Sequence, residues 1–330
     1  MRTLMISLDT KMLDANSAVA ERMRGLGEQG QVDIIVPSFN FQEISLSENV
    51  KVYGIGGNKI QQFFKVIALG KKLRSNQAYD RITAQDPFLT AVSALLIHKK
   101  EAVEIQVHGD FFSSSYFRTM SFKNRLYYWL ARLVTLPRAQ KIRVVGERVK
   151  QSLLKLGYDS NTIEVRPVAL DLDYVKKYEP KKDIKKEFPG FRKYFVFVGR
   201  LEEEKNVAWL VRVFDQYLRG ESSNDVLVIV GSGLQKTVLQ KLVKDCGQEN
   251  HIVFVDWTTQ PLDYIKTSDC VLLASKAEGY GLVAMETSAT STALIMTDVG
   301  VAHYELQPSE KVQIVPVNNA GDFISALKKV

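Results

Sequence analysis

The stretch Ala274-Ser275-Lys276-Ala277-Glu278-Gly279-Tyr280-Gly281-Leu282-Val283-Ala284-Met285-Glu286 decides how the chain reads. An apolar run, Cys270 to Leu273, precedes it and has the character of a buried strand. Two glycines then flank a tyrosine, and a helical pattern begins at Leu282. Strand, glycine turn and helix are the repeating parts of a doubly wound α/β domain. Such a turn presents backbone N–H groups at a helix's positive end, which suits anions and phosphate above all. Glu278 lies in the turn, and Glu286 follows eight residues later, close to two helical turns. The two carboxylates can therefore address two ends of one ligand. A plainer account has Glu278 capping the helix and Glu286 on a solvated face.

The chain of 330 residues divides naturally into two domains. With 45% hydrophobic and 25% charged residues it has the balance of an ordinary soluble protein, not a disordered or membrane-spanning one. The opening run Leu4–Leu8 stops at Asp9, too short for a signal peptide, and no apolar run reaches the length of a membrane span. Cys246 and Cys270 show neither metal spacing nor a disulfide framework, which fits a reducing compartment. Charge is uneven. Residues 1–150 hold 22 Lys/Arg against 13 Asp/Glu, whereas residues 151–330 hold 22 against 24. The first half is therefore suited to an anionic partner, nucleic acid or an anionic membrane.

Strand-like runs at Leu4–Leu8, Val32–Val36, Val50–Gly54, Asp80–Ala84, Glu104–Val107, Lys141–Val145 and Ile163–Val168 alternate with helical patterns at 17–28 and 60–75. Asp86 and Pro87 look like an N-cap and first helical residue for a helix running to about His98. The polar run 171–186 marks the domain boundary, which the sequence places between residues 1–168 and 169–330. The second half repeats the alternation with apolar runs Tyr194–Val198, Val226–Val230, Ile252–Val255, Cys270–Leu273, Ala293–Met296 and Val312–Val315. Continuous apolar strands of this kind are buried on both faces of a parallel sheet. The fold class is thus α/β, two doubly wound parallel sheets, with ligands expected at the carboxyl ends of the strands.

From Phe111 to Gly146 there is no acidic residue, while Arg118, Lys123, Arg125, Arg132, Arg138, Lys141 and Arg143 interleave with Tyr116, Phe122, Tyr127, Tyr128 and Trp129. A basic, aromatic-rich amphipathic helix suits an anionic membrane interface, with the tyrosines and Trp129 at headgroup level. The alternative is a helix that packs its aromatics into its own core. No nucleic-acid-binding module surrounds it, so nucleic acid is not the expected partner.

Phosphate chemistry gathers in the second half. After the run Tyr194–Val198 come Gly199-Arg200-Leu201 and Lys205-Asn206. Arg200 offers a planar fork suited to phosphate, and Lys205 a compact cation. Surface pairing with Glu202, Glu203 or Glu204 is the competing explanation. Gly231-Ser232-Gly233 follows the next strand and has the look of a close-approach turn. It is not the dinucleotide fingerprint, because Lys236 stands where the third glycine belongs.

Taken together, Gly199-Arg200-Leu201 with Lys205, Gly231-Ser232-Gly233, and Glu278-Gly279-Tyr280-Gly281-Leu282 with Glu286 resemble the retaining glycosyltransferases of family 4. The resemblance is strongest from Tyr194 to Gly300; in the first half it rests on Gln85-Asp86-Pro87 and His108-Gly109. It implies the GT-B architecture, two Rossmann-like domains facing across a cleft. It implies a nucleotide-sugar donor as substrate, UDP- or GDP-linked, with no cofactor and no metal. Arg200 and Lys205 would hold the donor diphosphate, with Gly231 and Gly233 beside it. Glu278 would contact the donor sugar, surrounded by the backbone of Gly279, Tyr280, Gly281 and Leu282. Glu286 would bind the ribose, and His108 would face the sugar. The acceptor would be a saccharide or a lipid-linked sugar at the cytoplasmic membrane face, reached through the Tyr116–Arg143 region.

Some positions depart from the family pattern. Asp256-Trp257 stands where a glycine is usual, and the final crossover helix looks short or absent. An epimerase or hydrolase of the same architecture, and a non-catalytic nucleotide-sugar binding module, are the competing functions.

Overall fold

The computed structural model describes residues 1–221 and 223–330. They form two compact units. The first is Met1–Val145 with Val149–Arg166; the second is Gly146–Arg148 with Pro167–Val330. The chain thus passes into the second unit at Pro167, two residues before the start of the second domain expected from sequence.

The first unit holds β1 (Arg2–Ile6), β2 (Gln31–Pro37), β3 (Gln42–Ser47), β4 (Val50–Ile55), β5 (Arg81–Ala84), β6 (Ala102–Val107), β7 (Lys141–Val144) and β8 (Ile163–Val165). Their order is β3-β4-β2-β1-β5-β6-β7-β8. All neighbours are parallel except β3 and β4. The sequence pattern misses β3, because Gln42-Glu43-Ile44-Ser45-Leu46-Ser47 carries only two apolar residues. It is an edge strand with an irregularity between Ser45 and Ser47, and an edge needs no continuous apolar run.

Two expectations for this unit are corrected. The helix after β5 is Leu89–Ile97, so Asp86 is not its N-cap and Pro87 not its first residue. Instead the Asp86 carboxylate accepts from the Phe88 N–H at 2.7 Å, and its backbone exchanges two hydrogen bonds with Thr90 Oγ1. A local side-chain turn has outcompeted helix initiation. The basic stretch is also not one helix. It forms Tyr116–Met120, then Phe122–Leu130, which continues through a π-helical turn at Ala131–Thr135. Tyr128 is buried and Tyr127 stacks on Phe88 at 5.1 Å, so neither stands at an outer surface as a headgroup anchor.

In the second unit β9 (Tyr194–Val198), β10 (Val226–Val230), β11 (Ile252–Val255), β12 (Cys270–Leu273), β13 (Ala293–Thr297) and β14 (Val312–Val315) form one parallel sheet, ordered β11-β10-β9-β12-β13-β14. Alternate residues feed two separate cores. Phe195, Phe197, Leu227, Ile229, Leu272 and Ile295 pack on one face. Tyr194, Val196, Val228, Val271, Leu294 and Met296 pack on the other. Helices cover both, which is why these strands read as unbroken apolar runs. Cys270 lies fully buried in β12, bonded to a strand on each side. The second unit closes with the helix Ala320–Lys329, which packs against the helix Val207–Glu221 and against β13 and β14. Asn319 caps it by accepting from the Asp322 N–H at 3.0 Å, and its Phe323 packs edge-on to Trp209.

Candidate functional site

The loops at the carboxyl ends of β9, β10 and β12 carry the residues of interest. After β9, Leu201 is fully buried and pins its loop, which turns through a short 3-10 segment, Glu203–Lys205. Asn206 then adopts a left-handed conformation (φ 57°) and starts the helix Val207–Glu221. Its amide donates to Asn318 Oδ1 at 3.0 Å, tying the turn to the loop after β14.

This turn aims Lys205 at Glu278. Lys205 Nζ lies 2.5 Å from Glu278 Oε1, with the two side chains 17% and 19% exposed. Ser275 Oγ donates to the same oxygen at 2.8 Å, and Thr297 Oγ1 in turn donates to the Ser275 carbonyl at 2.7 Å. Glu278 is therefore a fixed acceptor and not a helix cap. The cap position of the helix Leu282–Ser288 belongs to Gly281 (φ 109°), without a side-chain bond. Gly300 supports the turn from behind. Its φ is 57°, and a Cβ there would meet Tyr280 O at 2.2 Å and Glu278 Cβ at 2.9 Å. Ser275, Thr297 and Gly300 were not singled out in the sequence. Ser275 stood inside the quoted stretch, but its role depends on which way the turn folds.

Glu286 is half-buried, not solvated. Burial raises its carboxyl pKa, and among the described residues it has no hydrogen-bond or ion-pair partner. A desolvated carboxylate with free lone pairs is an acceptor for ligand hydroxyls. Arg200 conforms to the competing account in one respect: its guanidinium pairs with Glu204 at 2.5 Å. That pair is surface-exposed, with Arg200 70% accessible, and costs little to exchange for a phosphate.

Gly231 and Gly233 have a clear packing role. A Cβ on Gly231 (φ 153°) would lie 1.9 Å from Gly199 O, and one on Gly233 would lie 2.5 Å from Leu201 O. The Gly231 N–H is committed to Val255 O at 3.0 Å, and the Leu201 N–H to Ser232 O at 2.9 Å. The two glycines let the loops after β9 and β10 touch, which holds Arg200 and Lys205 in place. After β11, Asp256 pairs with Lys236, and Trp257 is 69% exposed.

His108 belongs to the first unit, just beyond β6. Its Nε2 is 2.8 Å from Gln106 Oε1. Surrounding protein, and after it the Arg143 guanidinium, lower its pKa to about 4, although part of the ring meets solvent. The imidazole is neutral at pH 7.

Residues 179–330 match the family described as glycosyl transferases, group 1. That match covers most of the second unit and just under half of the chain. The group 1 match holds the paired Lys205 and Glu278, Arg200, Glu286 and both glycine turns. Among curated proteins, a galactosyltransferase of Escherichia coli named for UDP-Gal and α-D-GlcNAc-diphosphoundecaprenol is 24% identical over 229 residues, 68% of this chain and 58% of its own. An α-N-acetylgalactosaminyltransferase of Campylobacter jejuni, named for a diphospho-undecaprenol saccharide, is 29% identical over 137 residues, 41% of this chain and 36% of its own. The matched stretches thus span between about a third and three fifths of these relatives. Among solved structures, sucrose-phosphate synthase from Thermosynechococcus elongatus aligns with a TM-score of 0.79 at 17% identity, covering 100% of this chain and 89% of that one. The shared fold is GT-B, α/β with two parallel-sheet units.

Proposed function

We propose that this protein is a retaining, metal-independent glycosyltransferase that moves a sugar from a nucleoside-diphosphate sugar, UDP- or GDP-linked, to a lipid-linked saccharide. The observation that carries this reading is the Lys205–Glu278 pair at 2.5 Å, at the carboxyl end of a parallel sheet. It sets a cation for a departing diphosphate beside a carboxylate for sugar hydroxyls. Charge builds on the diphosphate as the glycosidic bond breaks, and a cation already in place stabilises it without reorganisation. Arg200 adds a second cation, and Glu286 an acceptor for the ribose diol. The names of the Escherichia coli and Campylobacter jejuni relatives support a diphospho-lipid acceptor. A binding module without activity would not need Glu278 at the sugar.

Calorimetric titration with UDP, GDP, ADP and dTDP, then with their sugars, tests the donor. Saturable binding of one diphosphate, lost in Arg200→Ala and Lys205→Met, supports the assignment. Equal affinity in both variants overturns it. NMR of the product anomer, against the donor, decides retention.

The same reading places the enzyme on the cytoplasmic membrane face. Phe122, Leu126, Trp129 and Leu133 are 74%, 59%, 43% and 62% exposed, at helical spacing, and form one apolar stripe. Arg125 lies over the Phe122 ring and Arg132 over Trp129. An exposed apolar stripe rimmed by arginines suits an anionic lipid surface. Among the described residues no helix is long and apolar enough to cross a membrane. Co-sedimentation should occur with anionic vesicles, weaken with salt, and fail for Phe122→Ser with Trp129→Ser. Equal pelleting with neutral vesicles would remove the membrane from the proposal.

A further inference from the structure

The face of the first sheet that leads to His108 carries a buried polar chain. Residues Glu104, Gln106 and His108 alternate along β6 and its exit, so they share one face. Arg81 and Thr83 present the same face of neighbouring β5. Glu104, Gln106 and Thr83 are 3%, 3% and 1% exposed. Arg81 Nη1 donates to Glu104 Oε2 at 3.2 Å, and its Nε to Thr3 Oγ1 at 3.1 Å. Thr83 Oγ1 donates to Glu104 Oε1 at 3.1 Å. Gln106 Nε2 donates to Thr83 Oγ1 at 2.9 Å and to Glu104 Oε1 at 3.3 Å.

This chain leaves the Gln106 amide one orientation. Turned over, its oxygen would face the Glu104 carboxylate, acceptor against acceptor, in a buried site where that is costly. The amide oxygen therefore points at His108 Nε2, 2.8 Å away, and that nitrogen must carry a proton. Because the ring is neutral, the other nitrogen, Nδ1, carries none. The charged group that acts on the ring is Arg143 on β7, which stands in register with Gln106, with Glu104 and Arg81 behind the amide. Arg143 opposes a second proton.

We propose that Gln106 is a positioning residue that locks His108 in the Nε2–H form and so makes Nδ1 an obligate hydrogen-bond acceptor for a hydroxyl of a saccharide substrate. His108 then cannot donate a proton to a leaving group from Nδ1, and its task is to orient a hydroxyl. The saccharide rests on the proposed transferase reading; the lock rests only on the first unit.

The test is ring 15N NMR on the full chain labelled in histidine, with the His108 signals assigned by their loss in His108→Asn. The wild type should show Nε2–H and an unprotonated Nδ1 from pH 6 to 8. Gln106→Met, of similar volume without the acceptor, should lower the tautomer ratio about fivefold, the ratio one neutral hydrogen bond sustains. Glu104→Gln, which removes the carboxylate that fixes the amide without touching His108, should shift it in the same direction and serves if Gln106→Met does not fold. An Nδ1–H ring in the wild type, or an unchanged ratio in the folded variants, overturns the proposal. Failure of every nucleoside diphosphate to bind, with the tautomers as stated, would instead count against the transferase reading alone.

Discussion

Lys205 Nζ and Glu278 Oε1, from residues 73 apart in the chain, lie 2.5 Å apart in space. The cation assigned to diphosphate and the carboxylate assigned to sugar thus support each other structurally as well. Breaking a buried pair strands the remaining charge. This pair is partly accessible, so Lys205→Met should cost about 1–3 kcal/mol of stability, below the range for full burial. Glu278→Gln keeps acceptors for Lys205 and Ser275 and should melt closer to wild type while losing turnover. Thermal melts of both variants check this, and a Lys205→Met protein as stable as wild type would show that the pair holds nothing together.

Arg200 behaves differently, because the carboxylate it pairs with, Glu204, is exposed. Arg200→Ala should leave the melting temperature within about a degree or two, since surface pairs contribute little. It should still weaken nucleoside diphosphate binding by about 1.5–3 kcal/mol, the worth of hydrogen bonds to a charged group. Calorimetry beside a melt separates the two effects.

The Glu286 carboxylate is desolvated and, among the described residues, has no partner, so its removal relieves a cost. Glu286→Gln should be as stable as wild type, or slightly more so, and should bind a 2′,3′-dideoxy nucleotide as wild type does while losing affinity for the ribose form. Equal losses for both nucleotides would detach Glu286 from the ribose.

Two glycines near Glu278 make a contrast. Both Gly281 and Gly300 have positive φ, but a Cβ on Gly281 meets nothing closer than 3.7 Å, whereas one on Gly300 meets backbone at 2.2 Å. Gly281→Ala should cost the backbone strain alone, about 1–3 kcal/mol. Gly300→Ala should cost more and also displace Glu278, lowering turnover. Urea melts of the two variants give the comparison; similar losses would mean that Gly300 yields easily.

Acid stability follows from His108. Its pKa falls from 6.5 unfolded to about 4 folded. Between those values the unfolded chain binds the extra proton, so stability declines as pH falls through that window. The raised carboxyl of Glu286 acts in the opposite sense, so the informative comparison is between variants. His108→Asn should decline less steeply than wild type between pH 6.5 and 4. Parallel curves would show that the ring titrates normally.

The second unit was legible in the sequence because its sheet is buried on both faces. Five of its six strands, Tyr194–Val198 among them, have the bounds that the apolar runs mark. In the first unit the edge strand Gln42–Ser47 escaped, since period and hydrophobicity both fade at a solvated edge. Asp86-Pro87 misled, because an aspartate's side chain serves a turn as readily as a cap. Within the site, Arg200, Lys205, Glu278 and Glu286 could be picked out by residue type and spacing. Of the partners that hold them, Thr297, Gly300 and Asn318 could not, because they come from elsewhere in the chain, and Ser275 could not, because its role depends on how its own turn folds. Sequence also could not split the aromatics of residues 116–133 into Tyr128, which faces the core, and Trp129, which faces outward.

Cys270 sits in the middle of the sheet whose β12 delivers the Glu278 turn, and burial holds its thiol well above the usual range. Cys246 is half-exposed. The second unit thereby contains its own clock. A thiol reagent should consume Cys246 at once, and Cys270 only as often as β12 parts from β9 and β13. The slow phase measures how frequently the floor beneath Glu278 opens, and a bound nucleotide that braces this unit should lengthen it in proportion to its occupancy.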